Sequence, residues 1–211
     1  MTTWPASPEV VVGGNRFTDV AAIVTDLSFV APEDPSGRPV NALLGWPVLG
    51  RLALTLDRGR GRIGIAASAD SAGQPLLVRD QVYVPVRTGE GRQALMLPDT
   101  GANTTTLNER AAERLGLARE EERTVDVAGG AGKAKQAVTA LAEPLELQLS
   151  GASMTFPAMM VDPVDPGEER CGVPVRPDGI LGVDAFGGGV AVIDGPGGAL
   201  RLSPAGSPPA P

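Results

Sequence analysis

The sequence contains no histidine. That absence removes Ser-His-Asp and Cys-His nucleophilic catalysis, histidine zinc sites and imidazole acid–base chemistry. Cysteine is almost missing too. Cys171 is the single one, so no intrachain disulfide can form, and without a histidine partner it reads as an inert thiol. Aromatic residues make up only 3% of the 211, so a core must be built from Val, Leu, Ile and Ala. No apolar run is long enough to span a membrane. Lys and Arg are scattered and the net charge is −7, which argues against a nucleic-acid partner. Met1-Thr2-Thr3-Trp4-Pro5 shows no basic region leading into an apolar stretch, so no signal peptide is visible. The default location is then cytoplasmic, or extracytoplasmic if the N-terminus is truncated. No cofactor or metal site is expected. If the chain hydrolyses bonds without a metal, carboxylates are the groups left to do it.

What the chain has in abundance is glycine (28) and proline (20), the signature of many turns and short strands. It also repeats itself. Gly151 and Gly14 differ by 137 positions, and at that offset Thr18/Thr155, Ala21/Ala158, Val24/Val161, Leu44/Leu181, Gly45/Gly182, Gly50/Gly187, Asp57/Asp194 and Gly61/Gly198 also match without a gap. The connection between the matching halves, 27–40 against 164–177, shares no identity, as a surface loop need not. The chain therefore reads as one and a half copies of one unit. Residues 1–66 are the C-terminal half of a first repeat, 67–74 a linker, 75–203 a complete repeat and 204–211 a Pro/Ala/Ser tail.

Within the complete repeat, Ala94-Leu95-Met96-Leu97 reads as a strand, Asp99-Thr100-Gly101 as a turn, and the following residues as a helix. The expected cap is Thr106, with Glu109 three residues on; Leu107, Ala111 and Leu115 share a face, and Gly116 stops the helix. This places a carboxylate in a tight strand-to-helix loop, beside a glycine that lets another backbone approach closely. Further along lies Asp178-Gly179-Ile180-Leu181-Gly182-Val183-Asp184.

These two segments, in this order, resemble the retroviral-type (retropepsin-like) aspartic proteases, and more narrowly a bacterial-type tandem aspartyl protease domain whose first copy is truncated. The resemblance spans about residues 75–203. It implies an all-β fold: a closed, barrel-like sheet with one short helix, and the half-repeat packed alongside. It implies an aspartic endopeptidase acting on peptide or protein, with Asp99 catalytic and Thr100, Gly101 and Ala102 supporting the loop. Gly179, Ile180, Leu181 and Gly182 would pass behind the site. Gly129, Gly130, Ala131 and Gly132 would form the tip of a flap. One departure is Pro98, which stands where the family has a second apolar strand residue.

Peptide hydrolysis by carboxylates needs two of them across one water, sharing one proton. Only one Asp-Thr-Gly exists in the chain. A second Asp99 from a homodimer, a longer gene product, or loss of catalysis all remain open. Asp178 and Asp184 are expected to be structural, since Asn41 and Pro47 stand at their equivalents. The reading from another class is a non-catalytic β module that binds peptide or a partner protein.

Overall fold

The computed structural model describes residues 2–3, 9–20, 23–24, 42–69, 73–78, 81–129, 132–157, 159–162, 176–187 and 189–203. Cys171, the 204–211 tail, and Gly130 and Ala131 of the expected flap lie outside them.

The first part of the chain forms β1 (Thr2–Thr3), β2 (Val10–Val12), β3 (Asn15–Phe17), β4 (Ile23–Val24), α1 (Trp46–Leu49), β5 (Ala53–Asp57) and β6 (Arg62–Ala66). Then follow β7 (Gln74–Pro75), β8 (Leu77–Val78), β9 (Val82–Thr88), β10 (Gln93–Pro98), β11 (Thr106–Asn108), α2 (Glu109–Arg114), β12 (Arg123–Gly129) and β13 (Gly132–Ala140). The chain closes with β14 (Leu145–Leu149), β15 (Ala152–Phe156), β16 (Met160–Asp162), β17 (Gly179–Leu181), a 3-10 turn (Val183–Phe186), β18 (Val190–Asp194) and β19 (Ala199–Ser203).

The offset of 137 recurs in the backbone. Thr2 pairs with Val24 as Thr139 pairs with Val161, and Val10 pairs with Phe17 as Leu147 pairs with Met154. Ala53 pairs with Ala66 as Val190 pairs with Ser203. The turns match as well. Gly13 and Gly14 have φ of 56° and 81°, Ser150 and Gly151 have 52° and 76°, the left-handed pair that a two-residue hairpin turn requires. Asp57 Oδ1 accepts the Arg60 N–H at 3.0 Å, and Asp194 Oδ1 accepts the Gly197 N–H at 2.9 Å. The side-chain bond from Arg60 also holds the Asp57 carboxyl below its ordinary pKa.

The two copies share a sheet, in the order β6-β5-β18-β19-β7. Its seam is β5 against β18, antiparallel, with Thr55 opposite Val192. Those two residues are equivalents of each other, so a pseudo-twofold axis passes between them. Leu54 from the first copy joins the main core, which is built on Val84, Met96, Leu107, Leu147, Val161 and Leu181. A smaller cluster of Phe17, Val20, Val48 and Leu52 belongs to the first copy alone.

The expectation of a closed barrel is overturned. The larger sheet runs β12-β13-β16-β11-β17-β10-β9-β14-β15, with β8 beside β9, and no described ladder joins β12 to β15. Closure needs every strand to have two neighbours. Here β13 pairs with β16 only through Thr139 and Ala140, and the rest of its described residues pair with β12 alone. At the other end β15 pairs only with β14.

One local expectation is corrected too. Thr106 is not a helix cap: Thr106 and Leu107 pair with β16 on one side and β17 on the other, and this double ladder outweighs a capping bond. Asn108 caps α2 instead. Strand β15 ends at Phe156, and Met160–Asp162 joins β11 and β13 instead.

Candidate active site

Strand β10 delivers Asp99. It runs parallel to β17, pairing Met96 with Gly179, Leu97 with Ile180 and Pro98 with Leu181. The ladder to β9 ends at Met96, and the Asp99 N–H donates to the Leu181 carbonyl at 3.0 Å. In an extended strand successive N–H groups point to opposite sides, so the donor that Pro98 lacks would face the side where no strand follows. The proline thus costs the sheet nothing here.

Beyond Pro98 the chain turns sharply. Gly101 N–H donates to Asp99 Oδ1 at 2.8 Å and Ala102 N–H to the Asp99 carbonyl at 3.2 Å. Asp99 is half-buried, and Thr100 and Gly101 are exposed. The Ala102 carbonyl accepts the Val183 N–H at 2.9 Å, which ties the turn to the segment behind it. That segment follows directly on β17, which is set between β10 and the antiparallel β11. Gly179, Leu181 and Gly182 are buried and Ile180 half-buried. A Cβ on Gly182 would lie 2.6 Å from Thr104 C and 2.9 Å from the Ala102 carbonyl oxygen, so the loop can sit this close only over glycine.

The residue that braces the loop is one the sequence did not single out. Thr105 is fully buried, its Oγ1 donates to Asp184 Oδ1 at 2.6 Å, and its N–H donates to Asp184 Oδ2 at 2.9 Å. The Gly182 N–H in turn donates to Thr105 Oγ1 at 3.1 Å. Within the run Thr104-Thr105-Thr106 nothing marks the middle hydroxyl; the partner 79 residues away does. Asp178 is buried, accepts the Leu95 N–H at 2.8 Å and pairs with Arg114 at 2.8 Å, so it fixes β10 to α2. Neither Asp178 nor Asp184 hydrogen-bonds Asp99, and no second carboxylate does so among the described residues.

Asn108 joins the site to the helix. Its Oδ1 accepts the Ala111 N–H and its Nδ2 donates to the Pro177 carbonyl, both at 2.8 Å and buried. Asn108→Ala is therefore expected to cost about 2 kcal/mol, the upper range for a lost cap, read as a lower urea midpoint at unchanged slope.

Strands β12 and β13 pair from Arg123 with Val138 to Gly129 with Gly132, so the expected flap residues Gly129 and Gly132 close a long hairpin. A cleft of about 530 Å³, lined in part by Pro85, Arg87, Gln93, Gln148 and Ser153, lies at the far end of β10 from Asp99. At about 3.3 Å of rise per residue the strand keeps the two apart. No group of three or more His, Cys, Asp or Glu is placed to hold a metal ion among the described residues. No helix among them is long and apolar enough to cross a membrane.

Residues 84–185, from β9 to the 3-10 turn, match the sequence profile of an aspartyl protease family. Among solved structures, the EIAV protease complexed with the inhibitor HBY-793 is similar, at 20% identity over 56% of this chain and 90% of that one, with a TM-score of 0.34. No curated protein matches the sequence significantly. The aspartyl protease profile begins inside β9 and so takes in the Asp-Thr-Gly turn, the β12–β13 hairpin and β17, but none of the first copy.

Proposed function

We propose that the chain is part of an aspartic endopeptidase in which Asp99 is one member of a carboxylate dyad. The observation that carries this is the Asp99-Thr100-Gly101 turn held at the end of β10 against β17, with its carboxylate half-buried and its backbone fixed by bonds to Leu181 and Ala102. In this reading Asp99 and a second carboxylate hold one water. One takes its proton, the other protonates the scissile carbonyl oxygen, and the pair shares a single proton between turnovers. Thr100, Gly101 and Ala102 keep the turn narrow, Gly179 to Gly182 back it, and the hairpin that ends in the Gly129–Gly132 pair covers bound peptide. The division into a half-unit over 1–66 and a complete unit over 75–203 belongs to the same reading.

The second carboxylate comes from outside the described residues. A mate of the complete unit, placed by the pseudo-twofold axis across β18, would collide with the chain's own β5 and β6. That favours a source other than a second Asp99 brought by a symmetric homodimer across this seam. The test is hydrolysis of a peptide library between pH 3 and 7, with pepstatin as inhibitor. It is run on the 211-residue chain and on the completed chain described below. Pepstatin-sensitive cleavage with an acidic optimum supports the reading. A folded, completed chain that cleaves nothing overturns it in favour of a peptide-binding module, which the lack of a carboxylate partner for Asp99 among the described residues would then explain.

A further inference from the structure

The repeat leaves one half of the first copy without neighbours. In the second copy β17 lies between β10 and β11, and Leu181 is 0% exposed. Its equivalent in the first copy is Ala42-Leu43-Leu44, at the same offset of 137. This segment is not part of any sheet, and its backbone has no hydrogen-bonded partner among the described residues. Leu43 is 61% exposed and Leu44 39%. The second copy's β14 pairs with β9 as well as β15, whereas among the described residues its equivalent β2 pairs only with β3.

Gly45 adds an independent observation. Its equivalent, Gly182, must be glycine because the Asp99 loop lies on it. At Gly45, φ is −92°, which any residue can adopt, and the nearest atom to an added Cβ is Pro47 Cδ at 3.6 Å. Nothing described in the chain needs this glycine. The space over it has the position of the space that the acidic turn fills in the second copy.

The geometry points to an acceptor slot in the first copy, made of the free edge of β2, Ala42–Leu44 and Gly45, for a polypeptide half-unit of the kind that residues 82–115 form. That occupant lays one strand in parallel beside Ala42–Leu44 and a tight turn over Gly45. If Asp99 acts as proposed above, this turn supplies the second carboxylate; the slot itself rests only on the repeat. The occupant is not a replica of residues 82–115. Gly179 abuts the Thr106 carbonyl, but its equivalent Ala42 carries a Cβ, so the strand on that side stands further off. Pro47 replaces Asp184, so no carboxylate clasps a buried threonine there.

The experiment completes the unit in register. Thr2 is the equivalent of Thr139, so residues 75–138 are joined directly ahead of Thr2 in the full chain. Amide exchange at Leu43 and Leu44 is expected to slow by about 100-fold or more relative to the original chain, and further in the same chain carrying Ala42→Gly. Gly45→Val should leave the melting temperature of the original chain unchanged and abolish the new protection in the completed chain. Exchange that stays fast in both completed chains overturns the slot, as does protection that survives Gly45→Val. Concentration-dependent protection in the original chain would overturn the half-unit as occupant, because a second copy would then fill the slot. Protection without peptide cleavage keeps the slot and refutes the peptidase reading; cleavage without protection does the reverse.

Discussion

Asp99→Asn in the completed chain is expected to lower peptide cleavage by at least about a thousandfold while leaving the fold intact. The two parts of this expectation have separate causes. The amide cannot take a proton from water at any pH between 3 and 7, so the general base is lost outright. The structural duty of the side chain is light: Oδ1 accepts the Gly101 N–H at 2.8 Å, and an asparagine oxygen can accept it equally. The turn is held mainly by backbone, through the Leu181 and Asp99 carbonyls, so stability should change by no more than about 0.5 kcal/mol. Matching urea curves beside initial rates would check both. Equal cleavage by the variant would remove Asp99 from the mechanism.

Gly179→Ala should have the largest effect on stability. The added Cβ would land on the Thr106 carbonyl oxygen and lie 2.9 Å from Leu107 Cα. Both are backbone atoms of β11, which is itself pinned between β16 and β17, so no flexible side chain can move aside. Overpacking usually costs about 1–3 kcal/mol, and a clash against paired backbone belongs at or above the top of that range. Because β17 also backs the Asp99 turn, the variant that does fold should lose cleavage as well. Gly45→Ala, at the equivalent of Gly182 but with only an ordinary contact to Pro47, is the neutral comparison. Thermal melts of the three proteins by circular dichroism decide it, and a Gly179→Ala melt equal to the parent would contradict the close approach.

The parts of this architecture legible in the sequence were local. Alternation in Leu145-Glu146-Leu147-Gln148-Leu149 corresponds to a strand buried on one face, and the offset of 137 places equivalent turns at Gly14 and Gly151. Strands ending at Asp57 and starting at Arg62 follow from the Arg58-Gly59-Arg60-Gly61 turn. What was not legible depended on distant partners. Thr105 matters because Asp184 reaches it, and Thr106 is a strand residue because two other strands flank it. Whether a sheet closes depends on its two end strands meeting, and neither β12 nor β15 carries a residue pattern that encodes a partner. The Asp99 turn itself was readable because the acid, the glycine and the strand before it are contiguous.

The self-complementary seam between β5 and β18 bears on how freely this protein can change. In a true homodimer every substitution at such a seam appears twice, once on each side of the axis. Leu54 opposite Ile193 and Leu56 opposite Ala191 are mirror positions that such symmetry would force to be identical. Here one pair is large against large and the other large against small. Covalent linkage has released the two sides from that constraint, so each can mutate alone. The same freedom allows Ala42 and Pro47 to stand at the positions where the other copy keeps Gly179 and Asp184.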